Sequence, residues 1–167
     1  TTAIAERMNN TGRIIASDIY RRKLDLIDKE AKRLGITNIE TRSWDATRVD
    51  SSMLHKADRV LVDAPCSGLG VVRRKPEIKY KPMTEEMELL PKKQLAILSA
   101  SSSYVKPGGR LVYSTCTVNP NENERVTELF LKRNPSFSKI ERTLLLPNIN
   151  GTDGFFICVM EKSTSLL

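Results

Sequence analysis

The sequence predicts an open α/β sheet built from consecutive strand–helix units, folded as a single domain over residues 1–167. Three observations lead there. Short apolar, β-branched runs alternate with longer stretches of helical periodicity, the pattern that builds parallel sheets. The 167 residues, 40% of them apolar, suffice for one core, and no repeat, low-complexity tract or second domain is visible. The residues with unusual chemistry fall where strands end, which is where open α/β sheets bind ligands.

In chain order, Thr2 to Asn9 reads as a helix stopping near Gly12, and Arg13-Ile14-Ile15-Ala16-Ser17 as a buried strand ending at Asp18. Leu24, Ile27, Ala31 and Leu34 then recur on one helical face, with Lys and Arg opposite and Gly35 as the stop. Asn38 to Trp44 is the next strand and delivers Asp45; Asp58 to Asp63 is a more apolar one that runs into Ala64-Pro65-Cys66. A long loop with Gly68, Gly70, Pro76 and Pro82 leads to a helical region from Thr84 to Val105 that Pro91 kinks or splits. After a Lys106-Pro107-Gly108-Gly109 turn, Arg110 to Ser114 is a strand ending in Thr115-Cys116. Asn119-Pro120-Asn121-Glu122 reads as a helix start, with Pro at the first helical position, Glu at the third, and Val126, Leu129 and Phe130 as the buried face. Phe137 to Ile140 and Phe155 to Met160 form a terminal strand pair.

No apolar stretch approaches the roughly 20 residues of a membrane helix, and no secretory pattern opens the chain, so a cytoplasmic location is expected. A formal net charge of +7 and a pI near 9.5 suit a polyanionic partner such as nucleic acid. Three cysteines, Cys66, Cys116 and Cys158, an odd number and widely spread, read as free thiols rather than a disulfide framework. No metal, membrane contact or oligomer is predicted.

Three successive strands end in an aspartate: Asp18, Asp45 and Asp63. One such acid is most often a turn former or helix cap. Repeated at strand ends of a nucleotide-binding sheet, they can accept both hydroxyls of a ribose and hold an adenine amino group or an ammonium. S-adenosylmethionine offers all three. Cys66 and Cys116 each lie just beyond an apolar strand, and if those strands are neighbours, about 4.8 Å apart, both thiols face one crevice. An isolated cysteine is more often a small buried hydrophobe, the reading that fits Cys158 in its apolar run. A pair in a crevice suits methylation of cytosine C5. A thiolate adds at C6 to make C5 nucleophilic, and an acid–base group nearby then helps to remove the C5 proton and release the protein.

The segments Val62-Asp63-Ala64-Pro65-Cys66-Ser67-Gly68 and Tyr113-Ser114-Thr115-Cys116-Thr117, the latter followed by Asn119-Pro120-Asn121-Glu122-Asn123-Glu124, resemble the two signature motifs of the Sun/RsmB family of RNA 5-methylcytosine methyltransferases. Between them, residues 70–80 are similar to the stretch typical of the bacterial small-subunit ribosomal RNA enzyme, and the resemblance covers nearly the whole chain. It implies a Rossmann-like S-adenosylmethionine-dependent methyltransferase sheet with helices on both faces. It implies methyl transfer to C5 of a cytosine in ribosomal RNA, with Cys116 as the C6 nucleophile and Cys66 assisting resolution of the adduct. Asp63 would contact the cofactor or the target cytosine, and Asp18 and Asp45 match the family's cofactor-binding acids. DNA cytosine methyltransferases take their nucleophile from the Pro-Cys motif, here Cys66; the Thr-Cys motif favours RNA. A catalytically inactive RNA-binding or assembly factor is the other alternative, and the retained cysteines and acids weigh against it.

Residues 73–82 hold five basic side chains and one acidic one, so Arg73, Arg74, Lys75 and Lys79 are expected to attract RNA phosphates, and Tyr80 to stack on a base or to pack. Family members carry a first strand and a Gly-rich cofactor loop ahead of a helix like the one at Thr2. Here the chain begins after them, so the resemblance assigns the activity to a parent protein and predicts that this chain alone binds cofactor weakly or not at all.

Overall fold

The structure, a computed structural model, describes residues 1–80 and 84–164. It comprises two compact units, Thr1–Ala46 and Thr47–Leu167.

The first unit contains helix α1 (Thr2–Arg7), strand β1 (Ile14–Asp18), helix α2 (Arg21–Arg33) and strand β2 (Ile39–Ser43). β1 and β2 pair in parallel with Asp18 opposite Ser43, so both chains leave the sheet at the same end. α2 packs on both strands and buries Leu24 and Ala31, the apolar face read from the sequence. α1 stops earlier than expected because Asn9 and Asn10 take left-handed backbone angles, φ 51° and 56°, which asparagine tolerates better than most residues.

The second unit is built on a four-stranded sheet, β3 (Ala57–Asp63), β4 (Val105–Thr115), β5 (Phe137–Leu145) and β6 (Phe155–Lys162), in the order β3-β4-β6-β5. β3 and β4 are parallel, and β6 runs antiparallel between β4 and β5. Helices α3 (Glu85–Glu88), α4 (Leu90–Ser102), α5 (Glu124–Arg133) and α6 (Pro147–Asn150) complete it. α4 packs on β3 and β4, and α5 on α4 and β5. The core gathers Val62, Leu111, Tyr113, Phe156, Cys158 and Met160 from the sheet with Ile97, Leu98, Val126 and Phe130 from the helices, all buried. Cys158 is therefore a core residue, as its apolar run implied. Among the described residues, no helix is long and apolar enough to cross a membrane.

Pro91 splits the helical region, one of the two outcomes read from the sequence: it sits in the first turn of α4, where its missing N–H costs nothing. Three differences from the sequence reading have local causes. β4 begins at Val105, because residues 106–109 loop out opposite Asp58 while Ala57 pairs with Val105 and Arg59 with Arg110. Gly108 (φ 73°) and Gly109, where a Cβ would lie 3.0 Å from the Asp58 carbonyl, make that bulge possible. β5 runs on to Leu145 because its ladder with β6 continues to the Leu145–Phe155 pair. α5 begins at Glu124, and residues 119–123 form a turn instead of its first turn.

Candidate active site

In the second unit, the parallel strands β3 and β4 end side by side, with Asp63 opposite Ser114. The Ala64 N–H donating to the Ser114 carbonyl (3.0 Å) carries the pairing one step beyond the strand. Both chains then turn, and Cys66 Sγ and Cys116 Sγ come to rest 3.3 Å apart as free, half-buried thiols. The neighbouring strands thus bring the two thiols together.

A buried polar cluster holds the two turns. Glu122, 1% exposed, accepts from the Ser67 N–H (2.8 Å), the Ser67 hydroxyl (2.6 Å), Gln94 Nε2 (3.0 Å) and Asn119 Nδ2 (3.0 Å). Gln94 Nε2 also donates to the Pro65 carbonyl (2.9 Å), and the Ser67 and Thr117 hydroxyls are 2.8 Å apart. The Thr115 hydroxyl donates to Asn123 Oδ1 (2.5 Å), Asn123 Nδ2 donates to the Thr117 carbonyl (3.0 Å), and the Tyr113 hydroxyl donates to the Glu122 carbonyl (2.6 Å). Sequence reasoning took Glu122 for a helix-capping residue and missed Ser67 and Gln94. The signal available was the presence of Ser67 and Glu122 inside the two cysteine motifs.

The loop after Cys66 is pressed against backbone. The Gly70 N–H donates to the Cys116 carbonyl (3.0 Å) and the Gly154 N–H to the Gly70 carbonyl (2.8 Å). A Cβ on Gly70 would lie 2.0 Å from the Gly154 carbonyl oxygen.

Burial, followed by the neighbouring Cys116 thiol, pushes Cys66 up to about 12. Burial thus favours the protonated form of Cys66, and either thiol can donate across the 3.3 Å contact. Burial likewise raises the Tyr113 phenol.

Asp63 is exposed and borders an open cleft of about 280 Å³ with Leu61, Val112, Ser114, Phe155 and Ile157. An apolar floor with a carboxylate at its edge suits a ring that has apolar faces and polar edges. In the first unit, Asp18 ends β1 and Asp45 follows β2 at the same end of that sheet. Asp18 accepts from the Tyr20 N–H (2.8 Å) and pairs with Lys23 (3.1 Å). Carboxylates at strand ends are the acceptors that a ribose diol or an amino group requires, so these residues fit S-adenosylmethionine chemically. Among the described residues, no group of His, Cys, Asp or Glu has the geometry to hold a metal ion.

In the basic run, Arg73 and Arg74 both pair with Asp153, at 2.5 and 2.8 Å. This partner, eighty residues away from Arg73, was not foreseen. The Arg73 guanidinium beside Asp153 holds that carboxyl below its usual range. Lys75 and Lys79 are exposed, and Tyr80 is 84% exposed. Lys81 and Pro82 lie outside the described residues.

Comparison with known proteins accords with this geometry. The probable ribosomal RNA small subunit methyltransferase B of Bacillus subtilis is 41% identical over 177 aligned residues, covering 95% of this chain and 40% of that protein. Ribosomal RNA small subunit methyltransferase F of Escherichia coli O139:H28 is 30% identical, covering 99% of this chain and 38% of that protein. The chain thus spans about 40% of the length of these curated relatives. The crystal structure of NSun6 from Pyrococcus horikoshii with SFG superimposes with a TM-score of 0.86 at 30% identity, over 99% of this chain and 45% of that one. The fold is accordingly the Rossmann-like methyltransferase fold that the resemblance implied. A family described as 16S rRNA methyltransferase RsmB/F matches residues 1–161, and the chain belongs to that family.

Proposed function

We propose that the full-length protein methylates C5 of a cytosine in ribosomal RNA, of the small subunit, using S-adenosylmethionine and a transient bond between Cys116 and cytosine C6. The observation that carries this reading is the 3.3 Å contact between two free thiols at the ends of adjacent parallel strands, where burial raises Cys66. When bound, S-adenosylmethionine supplies an electrophilic methyl group. The Cys116 thiolate, accepting from the Cys66 thiol, adds to C6 and moves the ring electrons onto C5, which takes the methyl group. Two of the causes that raise Cys66 are its hydrogen bond to Cys116 and the charge there. Both vanish once Cys116 sulfur is bonded to carbon. Cys66 then becomes more acidic, gives its proton to solvent and can take the proton from C5, and the C–H electrons expel Cys116 as thiolate.

Asp63, at the edge of the cleft, is assigned to the cofactor or the cytosine, and Asp18 and Asp45 to the cofactor. Arg73, Arg74, Lys75 and Lys79 are assigned to RNA phosphates; all four are exposed. A cytoplasmic location accords with such a substrate.

The test is to incubate the full-length Cys66→Ala variant with its RNA and cofactor and run a denaturing gel. A trapped protein–RNA complex that disappears when Cys116 is also changed is expected. Absence of any complex would sink the reading. A complex formed through Cys66 in a Cys116→Ala protein would instead indicate chemistry of the DNA-methyltransferase kind.

A further inference from the structure

Glu122 is nearly inaccessible, yet its partners among the described residues are all neutral: two groups on Ser67, the Gln94 amide and the Asn119 amide. A carboxylate buried without a cation is costly unless every lone pair is used, and here each oxygen accepts two hydrogen bonds. Two of those bonds come from Ser67 and one from Asn119, so both cysteine turns contribute, and Gln94 on α4 gives the fourth. Ser67 follows Cys66; Thr117 follows Cys116 and reaches the carboxylate through the Ser67 hydroxyl. The Ser67 hydroxyl hydrogen is committed to Glu122, so the Thr117 hydroxyl donates to Ser67, and the Asn119 N–H donates in turn to Thr117 Oγ1 (3.2 Å). Every hydrogen in the chain points towards the carboxylate. Gln94 lies with Nε2 between two acceptors, the Pro65 carbonyl and Glu122, which fixes its orientation and leaves its buried Oε1 without a partner among the described residues. That unsatisfied atom is the cost of orienting the amide to bridge the segment just before Cys66.

We propose that Glu122 is a positioning residue whose carboxylate fastens the two cysteine turns to each other and so sets the separation of the thiols, a role that rests on Cys66 and Cys116 acting together. Glu122→Gln fills the same space but turns an N–H₂ towards donors, so it should loosen the turns without emptying the site.

The experiment uses the full-length protein and phenylarsine oxide, which condenses with two thiols only when they are held together, RAsO + 2 R′SH giving RAs(SR′)₂ and water. Wild type should capture the arsenical, and Cys116→Ser should not. Glu122→Gln should lower the affinity about tenfold or more, and kcat by a similar factor at unchanged KM for RNA. Ser67→Ala should act in the same direction but more weakly, since the backbone N–H remains, and Glu161→Gln, in a surface ion pair with Arg110, should change nothing. Wild-type arsenical affinity in a folded Glu122→Gln protein would overturn the proposal, and if that variant does not fold, unchanged affinity in Ser67→Ala would do so. Loss of arsenical affinity in a protein that never forms an RNA adduct would leave the positioning role standing and remove the catalytic one.

Discussion

The chain that leaves β3 behaves in two ways within fifteen residues. From Cys66 to Gly70 it is fixed by buried hydrogen bonds and by backbone lying directly on backbone: Ser67 on Glu122, Gly70 on Cys116 and on Gly154. From Arg73 to Tyr80 it is anchored by the buried Ile78, while its arginines lie at the surface on the Asp153 carboxylate, with Arg73 also on the Gly151 carbonyl, and their side chains remain 46% and 68% exposed. Buried, fully satisfied polar groups resist displacement, whereas exposed ion pairs contribute little and rearrange readily. The contrast matches the two tasks assigned to the loop. Bond formation needs reacting groups in one geometry, and phosphates along a flexible strand are best met by side chains free to adjust.

The largest effect should come from disturbing the fixed part. Gly70→Ala introduces a methyl group 2.0 Å from the Gly154 carbonyl oxygen and 2.8 Å from that of Cys116, and all these atoms are backbone, so no side chain can rotate away. Overpacking of this kind should cost about 3 kcal/mol, seen as a fall of roughly 6–12 °C in the thermal midpoint. Methylation should be lost with it. A midpoint within a degree of wild type would show that the fixed part is softer than its contacts imply.

That contrast was only half legible in the sequence. Periodicity placed Leu24 and Ala31 in a core, and β-branched runs placed Cys66 and Cys116 beyond two apolar strands, because both patterns are local and set by one face of one element. Pairing β3 with β4 then brought the thiols together. Glu122 was misread for the opposite reason. Asn-Pro followed by an acid is a good helix start locally, but Ser67, 55 residues away, and Gln94, 28 residues away, compete for the carboxylate and draw it inward. The ties of Arg73 and Arg74 to Asp153, and of Gly70 to Gly154, join segments about eighty residues apart and leave no periodic trace. The β4 bulge escaped notice because Lys-Pro-Gly-Gly is equally good chemistry for a plain turn and for residues looped out of a strand.

A smaller effect should separate the cysteine turn from the rest of the core by pH. Cys66 is raised from 9.0 to about 12, so the folded state binds its proton more tightly than the unfolded chain does. The stability this contributes is fully present below pH 9.0 and is lost as the pH climbs towards about 12. Tyr113 and Cys158 are raised as well and contribute to the same alkaline decline. The share of Cys158 and the part of the Tyr113 shift that burial causes should persist in a Cys66→Ala protein, so the difference in thermal midpoint between wild type and that variant reports Cys66 together with its charge on Tyr113. Wild type should lose ground steadily above pH 9.0 relative to the variant. Parallel curves would show that the thiol is not held protonated, and would remove the basis for making Cys66 the donor to Cys116.

The smallest stability effect should come from the surface end of the loop, where binding should change instead. Asp153→Asn removes the acid shared by Arg73 and Arg74 and raises the formal net charge of +7 by one. Because the partners are exposed, the thermal midpoint should stay within about 2 °C of wild type. With both guanidinium groups released, RNA affinity at low salt should rise, and the dependence of log affinity on log salt should steepen. Arg74→Ala should act oppositely, making that slope shallower by roughly 0.7 if the side chain meets one phosphate of a single strand. If Asp153 instead orients the arginines towards the RNA, Asp153→Asn will weaken binding while Arg74→Ala still lowers the slope. The sign of one affinity change therefore decides whether this acid restrains the basic run or aims it. An unchanged slope in Arg74→Ala would take that arginine out of the RNA interface altogether.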